Sequence, residues 1–252
     1  MPPMTAFSPG NYHYLSGGFQ YSAAVMADAG YVIERVQFSR PVALDRAFDR
    51  IRQHLERAGR PLTALCACEL RSPKPMDERE FTAFNREYVQ ILSAWEIYRD
   101  DANPVARCNL IPARDAPEAP GIHAFSYTVA ATEPTHVLDF QTSGAAECPD
   151  RPGYRDNIVR IGETSPEALH EKLRYALGDL ESRFESMGLT WRDVQKMNLY
   201  TVHDLLHVMN DELSERRALP IGINWHCVRP PVVDIEIEID AGRVSRQILL
   251  AD

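Results

Sequence analysis

The sequence predicts an α+β fold built from the same β-β-α-β-α-β-β unit twice, with the helices of each unit packed on one face of its sheet. Three observations carry this. A helical apolar pattern, Leu44, Phe48, Ile51, Leu55 and Gly59, returns at constant offset as Leu173, Leu177, Leu180, Phe184 and Gly188. At the same offset Leu70 and Ser72 of an apolar strand fall on Leu199 and Thr201. Strand-type and helix-type segments also succeed one another in the same order in both halves, which suits a sheet covered by helices on one side. The halves are 1–132 and 133–252, joined near Glu133-Pro134 without a low-complexity linker.

Phe19 to Phe38 is rich in aromatic and β-branched residues, breaks at Ala29-Gly30, and predicts a hairpin. Val42 to Ala58 spaces its apolar residues as a helix does and is stopped by Gly59 and Pro61. Leu62 to Leu70 is almost continuously apolar, as a strand buried on both faces would be. A second amphipathic helix spans Glu78 to Tyr98, Asn103-Pro104 breaks the chain, and strands follow at Arg107–Ile111 and Ile122–Ala130. In the second half His136–Gly144 and Asn157–Ile161 read as strands. Ser165-Pro166 is a cap followed by proline at the first helical position, and the helix it opens ends at Gly188. A strand (Val194–Val202), a shorter helix (Asp204–Glu215) and two strands (Gly222–Arg229, Val233–Asp240) complete the unit. Each sheet has an open face opposite its helices, so association with other copies is expected.

The 252 residues suffice for a sizeable core, and 44% apolar with 25% charged residues is ordinary for a globular protein. A net charge of −9 argues against partners held by phosphate neutralisation, and therefore against nucleic acid. Arg50, Arg52, Arg57 and Arg60 are interleaved with acids and read as a solvated helix face. No apolar run approaches the ~20 residues that span a bilayer. The N-terminus lacks the basic and apolar regions of a secretory signal, so the expected location is cytoplasmic. The five cysteines lack a framework spacing and suit reduced, buried thiols. Cys66 and Cys68 alternate along their strand, which predicts one shared face. His203 and His207 share a helical face at four-residue spacing, but no third ligand accompanies them and a metal is not expected. Neither G-x-G-x-x-G nor a P-loop occurs, which disfavours nucleotide cofactors.

The polar residues that differ between the halves carry the functional signal. Glu80-Phe-Thr-Ala-Phe-Asn85-Arg-Glu-Tyr88 followed by Pro104-Val-Ala-Arg107 resembles the Rid (reactive intermediate deaminase, YjgF) family. So do Ala176-Leu-Gly-Asp-Leu180 through Gly188, Asp193-Val-Gln-Lys196 and Asp234-Ile-Glu236-Ile-Glu238, and together these stretches cover nearly the whole chain as a tandem pair. The resemblance implies a trimeric, chorismate-mutase-like fold with sites between lobes. It also implies cofactor-free hydrolysis of imino or enamino acids to oxo acids and ammonia. By resemblance the family arginine falls on Arg107, its helix asparagine on Asn85 and on Asn210, its strand glutamate on Glu238, and its Ser-Gly on Ser143-Gly144 and on Ser16-Gly17. The second half has Gly222 where the arginine is expected, and the first half has His123-Ala-Phe-Ser-Tyr127 where the glutamate is expected. If the family chemistry is kept, either Arg107 and Glu238 meet in a composite site across a lobe interface, or groups other than that arginine and glutamate do the work.

In that site Arg107 would hold a substrate carboxylate through its bidentate fork. Glu238 would act on water as a general base. Glu236 lies on the same side of its strand, and the sequence does not separate the two. Asn85 and Asn210 occupy helix positions that asparagine disfavours, which suggests side-chain roles around the cleft. Ser143 and Cys108 complete the candidates at the substrate. Cys108 and Cys227 lie beside the site strands, and an attacking thiol would need a lowered pKa, so packing is the plainer role. The expected function is a deaminase acting on an imine or a 2-aminomuconate-type enamine in small-molecule catabolism, as a homotrimer without cofactor. The alternatives are a chorismate hydrolase of the chorismatase kind and a small-carboxylate-binding protein without catalysis.

Overall fold

The computed structural model describes residues 3–134, 137–149 and 151–250. The first half contributes β1 (Thr5–Phe7), β2 (Tyr12–Leu15), β3 (Ala24–Ala27), β4 (Tyr31–Ala43), α1 (Leu44–Arg57) and β5 (Leu65–Arg71). It continues with α2 (Glu78–Ala94), β6 (Ala106–Pro112) and β7 (Gly121–Ala130). The second half has β8 (Phe140–Thr142), β9 (Ala145–Ala146), α3 (Tyr154–Asn157), α4 (Pro166–Met187) and β10 (Lys196–Tyr200). It ends with α5 (Leu206–Glu215), β11 (Asn224–His226), β12 (Val228–Arg229), β13 (Glu238–Arg243) and β14 (Arg246–Leu250).

Two sheets result, one ordered β1-β2-β3-β8-β13-β10-β11 with β9 also on β13, the other β12-β6-β5-β7-β4-β14. Each contains a parallel pair (β10–β11, β5–β6) flanked by an antiparallel strand (β13, β7). The helices take one face of each sheet. Phe48, Ile51 and Leu55 of α1 and Tyr88 and Leu92 of α2 pack on Val36, Leu70 and Phe125. Leu177, Leu180 and Phe184 of α4 and Met209 and Leu213 of α5 pack on Met197, Leu199 and Ile239. The caps of α4 are those the sequence announces. Ser165 accepts from the Ala168 amide with Pro166 behind it, and Gly188 closes α4 at φ 70°. Asp77 and Glu80 form a reciprocal capping box on α2.

The sheets draw strands from both halves of the sequence. β1–β3 extend the sheet of β8 and β13, and β14 pairs in parallel with β4. The expected hairpin of residues 19–38 therefore does not form: β3 pairs with β2 and β8, whereas β4 pairs with β7 and β14. The buried carboxylate of Asp139 stabilises the corner between them by accepting from the amides of Ile33 and Ser245.

Other departures have local causes. The expected strand 136–144 is reduced to β8 and β9, and its start at His136 lies outside the described residues. Asn157–Ile161 is a short helix end and turn, interrupted by the positive φ of Arg160 and Gly162, and Ile158 instead fills a small cluster with Phe81 and Ile235. Gly222–Arg229 divides into β11, on one sheet, and β12, on the other. Cys66 and Cys68 face opposite ways, into the cluster between the sheets and into the helix-side core. A bulge between Leu65 and Ala67 shifts the alternation.

The last predicted strand begins only at Glu238. Before it, the amides of Glu236 and Ile237 donate to the carboxylate of Glu147, at 2.6 and 3.0 Å, and not to a neighbouring strand. Glu147 and its partner Lys172 of α4 are both 0% exposed, with Nζ 3.2 Å from Oε1. Burial pushes the Glu147 carboxyl up, while the two amides and Lys172 pull it down. Lys172→Met leaves this buried carboxylate without its counter-charge. We expect it to lower the unfolding free energy by about 3–5 kcal/mol, measured by urea titration at neutral pH.

Candidate active site

Arg107 is the second residue of β6 and is 3% exposed. Strand alternation sends it and Asn109 to one side, while Cys108 points to the other with Leu110, Tyr200 and Val228. The guanidinium donates to Asn85 Oδ1 of α2 at 2.6 Å. It also lies over the rings of Tyr21 and Tyr88, 5.1 Å from each centroid, and 5.7 Å from that of Phe81. Among the described residues no carboxylate comes within 4 Å of it. A buried arginine held by an amide and aromatic faces keeps its charge available for an anion.

Glu238, at the start of β13, faces the same cleft. Its carboxylate accepts no hydrogen bond and forms no ion pair among the described residues, and its side chain is nearly enclosed. Gly144 is what admits it: a Cβ there would lie 1.9 Å from Glu238 Oε1. Burial, and then the Asp240 carboxylate two residues along the strand, push Glu238 up to about 8 against the pull of Arg107 and Arg183. Asp240 is itself raised to about 6 by burial, although Tyr200 Oη and Asn198 Nδ2 donate to it at 2.7 and 2.6 Å. Glu236, which the sequence left level with Glu238, binds His203 at 2.6 Å and Arg229 at 3.3 Å outside the cleft. That contact also accounts for His203. His207 is exposed.

The cleft holds about 520 Å³ of open space between the two halves of the chain. Arg107 and Asn109 line it from the first half, Gly144, Arg183 and Glu238 from the second, with Phe81 and Ile235 as apolar walls. A second hollow of about 580 Å³ shares Phe81 and Tyr154 with it and is lined by Asn85. The Nδ2 donors of Asn85 and Asn109 are buried with no partner among the described residues. Two orphan amide donors, a cation without a carboxylate and a carboxylate without a donor suit an anionic, hydrogen-bonding guest.

The remaining candidates sit elsewhere or act on the backbone. The Ser143 hydroxyl is fully buried, accepting from the Arg107 amide at 2.8 Å and donating to the Ser22 carbonyl, so it stitches the halves together behind the cleft. Cys108 lies on the far side of β6, and burial pushes its thiol well up. Asn210 is exposed on α5 and lines no part of the cleft, and Cys227 is exposed. Ser16 is exposed too. Arg183, Tyr21 and Asp240 were not singled out from sequence, and Gly144 was marked only as part of the Ser-Gly pair. One signal was present for Arg183: it follows Leu180 by three residues on the apolar stripe of α4. There its Nη1 donates to the carbonyls of Ala23 and Ser143.

Comparison with known proteins gives a consistent picture. Residues 4–248 match the model of the family described as 2-aminomuconate deaminase CnbZ. The chain is 44% identical to a 2-amino-5-chloromuconate deaminase from Comamonas testosteroni, over 99% of this chain and 100% of that one. Among solved structures, a chorismatase at 12% identity superposes with a TM-score of 0.52, covering 88% of this chain and 77% of its own, a likeness of fold alone. The YjgF gene product of E. coli, 20% identical, covers 43% of this chain and 81% of its own at a TM-score of 0.31.

The raised pKa of Glu238 makes a prediction about stability. The fold favours its protonated form, so this contribution is fully present below the ordinary value of 4.5 and is lost as pH rises through about 8. Glu238→Gln is therefore expected to unfold at nearly the wild-type denaturant midpoint at pH 4.5. At pH 9 it should be more stable than wild type by roughly 3–5 kcal/mol. A difference that does not change with pH would show that Glu238 is not held in this environment.

Proposed function

The chain belongs to the 2-aminomuconate deaminase family CnbZ, and from that premise we propose that it is a hydrolytic deaminase of 2-aminomuconate-type enamines. Its products are the 2-oxo acid and ammonia. The observation that carries this reading is that Arg107 and Glu238, each without a charged partner within 4 Å, line one cleft. Arg107 binds the carboxylate adjoining the amino-bearing carbon, and Asn85 fixes the guanidinium.

Glu238 carries the proton traffic. Held protonated near neutral pH, it gives a proton to the enamine carbon and converts the C–N unit to an iminium. The carboxylate so formed takes a proton from the water that attacks the iminium carbon, leaving a carbinolamine. Glu238 then protonates the amino group, the C–N bond breaks, ammonia leaves, and the hydroxyl proton returns to Glu238. One water is consumed, one ammonia is released, and the residue is regenerated. Such a cycle needs a carboxyl that ionises near the working pH.

The organisation belongs to the same proposal. The two halves, 1–132 and 133–252, are the repeats of a tandem Rid-like pair whose sheets exchange β1–β3, β12 and β14, and the protein assembles as a homotrimer in the cytoplasm. The exposed apolar Ile248 and Leu249 on edge strand β14 support association. The substrate is a small carboxylate, and no cofactor takes part. The likeness to the chorismatase is one of fold and does not extend the proposal to chorismate.

Ammonia release from 2-aminomuconate, corrected for spontaneous hydrolysis, tests the reading. Glu238→Gln is expected to lower kcat by about 10²–10⁴-fold. Arg107→Lys should raise KM by tenfold or more, because a lysine cannot reproduce the fork. No turnover by the wild type, or unaltered turnover in both variants, would overturn it. Asp240→Asn removes the neighbouring charge that helps to raise Glu238. The kcat/KM profile should then shift its Glu238 limb to lower pH by roughly one unit.

A further inference from the structure

The open faces of the two sheets enclose a third, larger hollow, with about 1190 Å³ of open space, on the side away from the helices. Its walls are polar throughout. Arg35, Arg71 and Lys196 line it, against a single lining carboxylate, Glu69. That carboxylate is already taken: Arg35 grips it with two bonds, Nε to Oε1 at 2.5 Å and Nη2 to Oε2 at 2.7 Å. Arg71 is different. It is 7% exposed, its one hydrogen bond among the described residues goes to the carbonyl of Leu70, and no carboxylate lies within 4 Å. Lys196, on the facing sheet, likewise has no carboxylate within 4 Å among the described residues, although Asp240, in the deeper extension of the hollow, attracts it.

A buried arginine bearing a full charge is stable only when something answers that charge. In a chain of net charge −9 such a positive hollow is a local exception and focuses anions. His123 and His226 line the same space and respond to it. Burial, followed by Arg71, holds His123 down to about 4 and lowers His226 as well. Neither Phe81 nor Glu238 of the catalytic cleft reaches this hollow. We propose that the space between the sheets is a second binding site, for a small dianion of the carboxylate or phosphate class, bridged between Arg71 on β5 and Lys196 on β10. The proposal does not depend on the deaminase reading.

Histidine ring signals of the full-length protein, followed by NMR while succinate and inorganic phosphate are titrated separately at constant ionic strength, test the site and distinguish the two chemistries. A bound dianion offsets the repulsion from Arg71. Saturable shifts are therefore expected at His123 and His226, with the pKa of His123 moving up from about 4. Lys196→Gln and Arg71→Gln should each weaken binding about tenfold or more, with Arg71→Lys intermediate. Lys196 is only part-buried, so Lys196→Gln remains informative if the arginine variants fail to fold. No saturation by either probe, or equal affinity in wild type and Lys196→Gln, would overturn the proposal. So would sedimentation showing that Lys196→Gln changes the oligomeric state while the histidines ignore both anions, because the hollow would then be a contact between copies.

Discussion

The buried ion pair between Glu147 and Lys172 is the constraint on which the arrangement of the cleft depends. Two charges with no exposure at all are costly to desolvate, and the cost is recovered only because Glu147 also accepts two backbone amides. Those amides belong to residues 236 and 237, which makes the carboxylate a substitute for a neighbouring strand just before β13 begins. Lys172 meanwhile fixes the same point to the longest helix of the chain. Glu238 is the next residue along. Its position is thus set by a side chain ninety-one residues earlier in sequence and is not left to a loop.

The opposite wall of the cleft is fixed by similar means. Ser143 accepts the Arg107 amide and donates to the Ser22 carbonyl, the Gly144 amide donates to the Arg107 carbonyl, and Arg183 donates to the carbonyls of Ala23 and Ser143. These bonds join three distant stretches of chain around β6. They also bring Gly144 against Glu238, where any side chain would collide with the carboxylate. The resulting electrostatics are unbalanced on purpose-built scaffolding: a cation held by neutral groups faces a carboxyl kept near neutrality by burial. Each lacks the partner that the other type of group would normally find, and a small carboxylate with a basic nitrogen supplies both.

The same logic separates the two hollows. The cleft of Arg107 and Glu238 has apolar walls, Phe81 and Ile235, around a few polar groups, as small-molecule sites generally do. The space between the sheets is polar on every side, with its one lining carboxylate neutralised by Arg35. Asp240 stands between them, lining the deep extension of the second while raising the pKa of Glu238 in the first.

Local chemistry was legible in the sequence because it depends on near neighbours. The apolar spacing of Phe48, Ile51 and Leu55, the Ser165-Pro166 start and the Gly188 stop each specify a helix within a few residues, and α1 and α4 follow them. Arg107, Asn85 and Glu238 stood out because the stretches around them resemble the Rid family, and Asn85 also because asparagine is a poor helix former. What the sequence could not supply is anything set by contacts between distant residues. A two-residue turn at Gly30 reads as a hairpin, yet β3 and β4 find better partners in different sheets. Residues 233–237 read as strand, yet Glu147 takes the amides that a strand would use. Cys66 and Cys68 read as one face until a bulge reverses it. The sequence by itself determined the four long helices and a set of residues able to do chemistry, since propensity and periodicity act over a few residues. Only the tertiary structure decided which strands share a sheet, which glutamate faces the cleft, and that Arg107 and Glu238 share it, because those are settled by buried hydrogen bonds and charges that must find partners across the whole fold.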